Sequence, residues 1–150
     1  MSPVYYEGET PPTILVADDN PAMMDILTGL LSKAGMVALP AYDGRQCLER
    51  VSQGAVDVIV LDIMMPGMDS LEVCAALKKM AAACSIPIIL LTAKDDMDTH
   101  LAAMRLGVSE FILKPARVRD LLARIRVHVD FNRKAREMDR VLNSLQEAEA

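Results

Sequence analysis

Five short apolar runs punctuate the chain, and between them apolar positions recur at helical spacing. The runs are Thr13–Ala17, Met36–Ala41, Val56–Leu61, Ile86–Leu91 and Glu110–Leu113. Their branched apolar residues are continuous rather than alternating, which predicts strands buried on both faces of a sheet. The first gap opens on Asn20-Pro21, an N-cap followed by proline at the first helical position. Ile26, Leu27, Leu30, Leu31 and Ala34 then fall at helical spacing, and Gly35 closes the helix. Asp43-Gly44 turns into a short helix from Gln46 to Gln53, closed by Gly54. Leu71, Val73, Cys74, Leu77 and Met80 predict a helix over 71–82. Another runs from Met97 to Leu106 before Gly107, and a last one starts near Arg117 and meets no proline or glycine through Ala150.

Strands alternating with helices imply right-handed crossovers and a parallel sheet covered on both faces. Pro40 cannot donate to a ladder, so the second strand belongs at an edge. That selects the flavodoxin-like order 2-1-3-4-5 for a doubly wound α/β fold of five strands and five helices. The expected organisation is a flexible tail over 1–12, a domain over 13–128 and a helical extension over 129–150. A covering helix needs to reach only about His128. Beyond it, Phe131, Ala135, Met138, Leu142 and Leu145 are spaced 4, 3, 4 and 3 residues apart. This short run fits a coiled-coil seam and an amphipathic tail equally well. The helical pattern continues to Ala150, which leads us to expect the front end of a longer chain.

Composition adds limits. With 150 residues, 52% of them hydrophobic and 25% charged, the chain can bury one proper core. Cys47, Cys74 and Cys84 lack metal-type spacing and are expected to be reduced thiols. No apolar run approaches the length of a membrane helix, so a soluble, cytoplasmic protein is expected. Net charge is −5, yet residues 117–140 carry eight Lys/Arg against four Asp/Glu. Without interleaved aromatics or a DNA-binding module, this basic stretch reads as a solvated helix and not a nucleic-acid surface.

The chemistry lies where the strands end. Asp18-Asp19 follows the first strand, Asp62 the third, Thr92 the fourth and Lys114 the fifth. In an open parallel sheet, that rim is where ligands bind, and in the 2-1-3-4-5 order strands one and three are neighbours at the switch point. Asp18, Asp19 and Asp62 therefore converge. Three crowded carboxylates repel unless a cation intervenes. Oxygen ligands completed by water describe Mg²⁺, which also suits phosphoryl chemistry. Lys114 and Thr92 can each hold a phosphoryl oxygen, leaving the Asp62 carboxylate as a nucleophile that forms an aspartyl phosphate.

These segments resemble the receiver domain of two-component response regulators over residues 13–128. The motifs that carry the resemblance are Asp18-Asp19, Leu61-Asp62-Ile63-Met64-Met65-Pro66-Gly67-Met68-Asp69, Leu91-Thr92-Ala93 and Lys114-Pro115. The resemblance implies that Asp62 is the phosphoacceptor for a histidine kinase or phosphotransfer protein. It implies Mg²⁺ on Asp19, Asp62 and the backbone carbonyl of Met64, with Asp18 acting through water. Lys114 would pair with the phosphoryl group, and the Lys114-Pro115 peptide would be cis. Thr92 and Phe111 would be the switch residues, reshaping the face made of helix four, strand five and helix five. Such a domain is no enzyme beyond catalysing its own phosphorylation and dephosphorylation.

Two departures stand out. Ser70 occupies a position where the family usually has glycine, at an expected left-handed loop residue. Met64 and Lys94 flank the path of attacking water, and an apolar Met64 predicts slow to moderate dephosphorylation. Other readings fit less well. A haloacid-dehalogenase-type phosphatase needs an aspartate where Met64 stands, and a nucleotide switch needs a glycine-rich phosphate loop that is absent. A dimerisation module with a vestigial site keeps the same residues and remains open, and in the receiver reading too the C-terminal helix is expected to pair with its copy in a parallel homodimer.

Overall fold

The computed structural model describes residues 10–63, 65, 69–80, 83, 85–92, 97–114 and 117–149. The elements are β1 (Thr13–Ala17), α1 (Pro21–Lys33), β2 (Val37–Ala41), α2 (Gly44–Gln53), β3 (Val58–Asp62), α3 (Ser70–Lys79), β4 (Ile88–Thr92), α4 (Met97–Arg105), β5 (Glu110–Leu113) and α5 (Val118–Glu149). All strand pairs are parallel, in the order β2-β1-β3-β4-β5. This is the doubly wound, flavodoxin-like sheet, with Pro40 on the β2 edge.

The alternation of side chains along the strands divides the core between two faces. Leu15, Ile59, Leu61, Ile88 and Leu90 pack with Cys47 and Val51 of α2, Val73 and Leu77 of α3, and Ala103 of α4. Ile14, Val16, Val58, Val60 and Ile89 pack with Met24, Leu27 and Leu31 of α1 and Leu121, Ile125 and Val129 of α5. The three central strands are wholly buried from Ile14 to Ala17, Val58 to Asp62 and Ile88 to Thr92. That is why their sequences are unbroken runs.

Local chemistry starts the helices. Asn20 Oδ1 accepts from the N–H groups of Ala22 and Met23 at 3.0 and 3.3 Å, with Pro21 in the first turn. Asp43 Oδ1 accepts from Gln46 N at 2.8 Å, and Asp69 Oδ1 from Leu71 N at 2.8 Å. Each cap supplies an acceptor to donors that the first turn leaves without partners. Gly35 and Gly107 follow α1 and α4 with φ of 84° and 88°, the left-handed conformation that glycine adopts without strain.

The structure moves several boundaries. Ladder pairing in β3 and β4 starts at Val58 and Ile88, not at the buried Val56 and Ile86. Hydrophobicity reports burial, whereas a strand needs paired backbone groups. Asp62 and Thr92 are the last residues of their strands, because Ile63 N donates to Leu91 O at 2.9 Å and Lys114 N to Thr92 O at 2.7 Å. In α1, Ile26 is exposed and Met24 takes its place in the core. Ser70 is not a left-handed loop residue. It opens α3 behind an extended Asp69 cap, and no described residue other than glycine has positive φ.

Candidate functional site

Four adjacent strands, β1, β3, β4 and β5, deliver the acids, the hydroxyl and the ammonium to one rim. Ala17 and Leu61 are register partners, so Asp18 and Asp62 emerge side by side at the switch point between β1 and β3. Carboxylate oxygens of Asp18, Asp19 and Asp62 lie within 4.8 Å of one another. Asp18 and Asp62 are buried, whereas Asp19 is exposed. Thr92, also buried, ends β4 next to them.

Lys114 reaches the same cluster from the end of β5. Its Nζ donates to Asp62 Oδ2 at 2.5 Å, and its backbone N–H bonds Thr92 O. Asp18 Oδ1 accepts the Asn20 N–H at 2.9 Å, while Asp18 Oδ2 is buried with no donor among the described residues. Burial raises the Asp18 carboxyl above its ordinary value. The Asn20 N–H opposes this, the Asp62 charge adds to it, Lys114 opposes it and Asp19 adds to it.

An orphaned buried carboxylate oxygen beside two further carboxylates is a donor set suited to a cation. The residues fit a hard, oxygen-seeking divalent ion. The Met64 carbonyl proposed as a further ligand lies outside the described residues. So do Lys94, Cys84, and Pro115 with its peptide from Lys114.

Ser70 has a role that the sequence did not disclose. It is fully buried, and its hydroxyl lies 2.7 Å from Asp62 O and 2.9 Å from Ile63 O. The first residue of α3 is thereby tied to the backbone that carries the central carboxylate. A glycine at this position could not make that bond. Phe111 is partly buried, and its ring stacks on His100 of α4 with centroids 4.6 Å apart and planes at 26°. His100 Nε2 is buried without a hydrogen-bond partner among the described residues. Nothing in the one-dimensional pattern signalled this pair, because His100 sits on a helix of mixed composition.

The remaining polar contacts lie elsewhere. Cys47 and Cys74 are free buried thiols, pushed by burial up to about 12 and about 11. Such thiols are poor nucleophiles and carry no chemistry at neutral pH.

A family model described as the response regulator receiver domain matches residues 14–126. The chain belongs to that family. Solved receiver domains share the fold. The chemotaxis response regulator CheY4 of Vibrio cholerae is 25% identical with a TM-score of 0.75, over 79% of this chain and 99% of that one. The receiver domain of a signal transduction histidine kinase from Syntrophus aciditrophicus is 28% identical with a TM-score of 0.73, over 79% and 90%. The receiver domain of an HD domain-containing protein from Pseudomonas fluorescens is 26% identical with a TM-score of 0.77, over 85% and 93%. These three relatives serve in different protein settings, so the receiver fold does not dictate what it drives. As a receiver domain, the chain is a signalling module of two-component type. None of its described helices is long and apolar enough to cross a membrane.

Proposed function

We propose that this receiver domain accepts a phosphoryl group onto Asp62 from a histidine kinase or phosphotransfer protein, with Mg²⁺ held by Asp18, Asp19 and Asp62. The observation that carries the reading is the 4.8 Å acidic cluster with Lys114 on Asp62. Bound Mg²⁺ would neutralise charge on the transferring oxygens.

The protein's own residues do the rest. An Asp62 carboxylate oxygen attacks phosphorus, a new O–P bond forms, and the bond from phosphorus to the donor's histidine nitrogen breaks. The leaving nitrogen keeps the bonding electron pair and takes a proton from solvent. Lys114 moves from Asp62 Oδ2 to a phosphoryl oxygen, where its charge counts most in a water-poor site. The Thr92 hydroxyl donates to another. Ser70 keeps the strand end in place throughout, through its bond to Asp62 O.

Movement of Thr92 toward the phosphoryl group opens room behind it for Phe111. The two states differ in free energy by the contacts that only the phosphorylated one can make. The face this reshapes already exposes Met97, Leu101 and Met104 on α4 and Leu113 on β5. It is the surface we assign to the domain's output. Catalysis is confined to the domain's own phosphorylation and dephosphorylation.

The test is incubation with acetyl phosphate or phosphoramidate, with and without Mg²⁺, read by intact mass, with Asp62→Asn alongside. A single phosphoryl adduct is expected only with Mg²⁺ and only with Asp62 present. Absence of an adduct under every condition would make the pocket vestigial.

A further inference from the structure

Beyond His128, α5 meets its own domain with its charged side. Arg133 Nε and Arg136 Nη2 lie 3.3 and 2.8 Å from Asp57 Oδ1, and Asp57 Oδ2 accepts the Thr13 N–H at 2.9 Å. Asp57 is buried at the foot of β3, at the opposite end of the strand from Asp62. A cleft of about 840 Å³ beside it is lined in part by Thr10, Ala55, Arg133, Arg136 and Arg140.

The apolar side points away. Phe131 is 75% exposed, Met138 60%, Leu142 50% and Leu145 57%. At 3.6 residues per turn, these four and Ala135 form one stripe on the far side of the helix from Arg133 and Arg136. A tail helix folding back on its domain would bury such a stripe. Here two guanidinium groups on a buried carboxylate hold the helix the other way round, and the stripe faces solvent.

The geometry points to a second copy of this chain as the occupant of that stripe, in a parallel, in-register two-stranded coiled coil. The 4, 3, 4, 3 spacing places Phe131, Met138 and Leu145 at heptad position d and Ala135 and Leu142 at a. The flanking positions are then Asn132, Asp139 and Gln146 at e, with Lys134 and Val141 at g. In a parallel pair, g of one strand faces the next e of the other, so Lys134 meets Asp139 twice, once on each side. An antiparallel pair sets e against e and g against g, and Lys134 never meets Asp139. The seam stops at the domain's floor. One heptad earlier the same positions hold Arg124 and His128, which Glu110 of β5 binds at 2.6 and 2.8 Å. This pairing does not depend on phosphorylation of Asp62.

Sedimentation of the full chain at rising concentration tests it. About two heptads give a modest interface, so a shift from monomer to dimer is expected toward high micromolar concentration. Leu142→Glu and Met138→Glu should each leave a monomer, with an unfolding midpoint unchanged at low micromolar concentration, where the unaltered chain is monomeric and both side chains are exposed. Phe131→Cys and Leu145→Cys, each oxidised alone, should each cross-link to their own copy well above the unaltered chain. A monomer at every concentration would overturn the inference, as would a dimer indifferent to Leu142→Glu. A dimer in which neither cysteine variant cross-links above the control would overturn the parallel register.

Discussion

Asp18 bears most of the tension in the acidic cluster. Burial holds its carboxyl above the ordinary range, and the neighbouring Asp62 and Asp19 charges push the same way. The folded state therefore holds the Asp18 proton more tightly than the unfolded chain does. Its contribution to stability is complete below the ordinary value of 3.8 and is lost as pH rises through the raised one. At neutral pH without metal, the ionised group works against the fold. Asp18→Asn removes that charge and keeps an oxygen for the Asn20 N–H. We expect it to stabilise the metal-free protein by about 1 kcal/mol at pH 7, the size of an ordinary single-residue effect. Urea unfolding in EDTA measures this, and a destabilised variant would mean that the Asp18 charge is already compensated. At this scale the sequence disclosed the acids, Thr92 and Lys114, because each type is unusual at the end of an apolar run. It did not disclose the Ser70 hydroxyl, whose value depends on two carbonyls it meets only after folding.

Among the elements, β3 does two jobs with its two ends. Asp62 closes the strand at the rim, and Asp57 precedes its first residue at the floor. The sequence showed the run between them and misread where pairing starts. Val56 is buried like a strand residue, but Asp57 separates it from the ladder and spends its side chain on Thr13, Arg133 and Arg136. Alternation of strands and helices gave the sheet order, since the crossover rule and one edge proline leave little choice. The long α5 was legible as a helix, but its direction was not, because an ion pair across |i−j| of 76 and 79 leaves no local trace. Asp57→Ala should cost about 2 kcal/mol, since it strands the Thr13 N–H and removes the carboxylate that Arg133 and Arg136 share. It should also speed tryptic cleavage at Arg133 and Arg136, while Asp57→Asn, which keeps the Thr13 acceptor, loses less stability. Equal cleavage rates in all three proteins would show that the clamp does not hold the extension.

For the whole molecule, the rim and the floor are joined by fully buried strands, so a ligand at the acidic cluster acts on the entire fold. A cation that binds the folded state alone stabilises it by mass action, about 2.7 kcal/mol at a hundredfold excess over its dissociation constant. For a chain of this size each kcal/mol moves the melting temperature by roughly 2–4 °C. Saturating Mg²⁺ should therefore raise Tm by about 5–10 °C at pH 7, and EDTA should reverse it. The pH dependence follows from Asp18. Binding requires the carboxylate, and its raised affinity for a proton makes proton and metal compete as pH falls toward that raised value. The Mg²⁺ shift should shrink over that interval, even though the metal-free protein gains stability in the same direction. Asp62→Asn should weaken the shift at every pH, and Asp18→Asn should both weaken it and flatten its pH dependence. Thermal melts at pH 5, 6 and 7 with Mg²⁺ or EDTA decide the matter. A Mg²⁺ shift that both variants keep in full would place the ion somewhere other than this cluster.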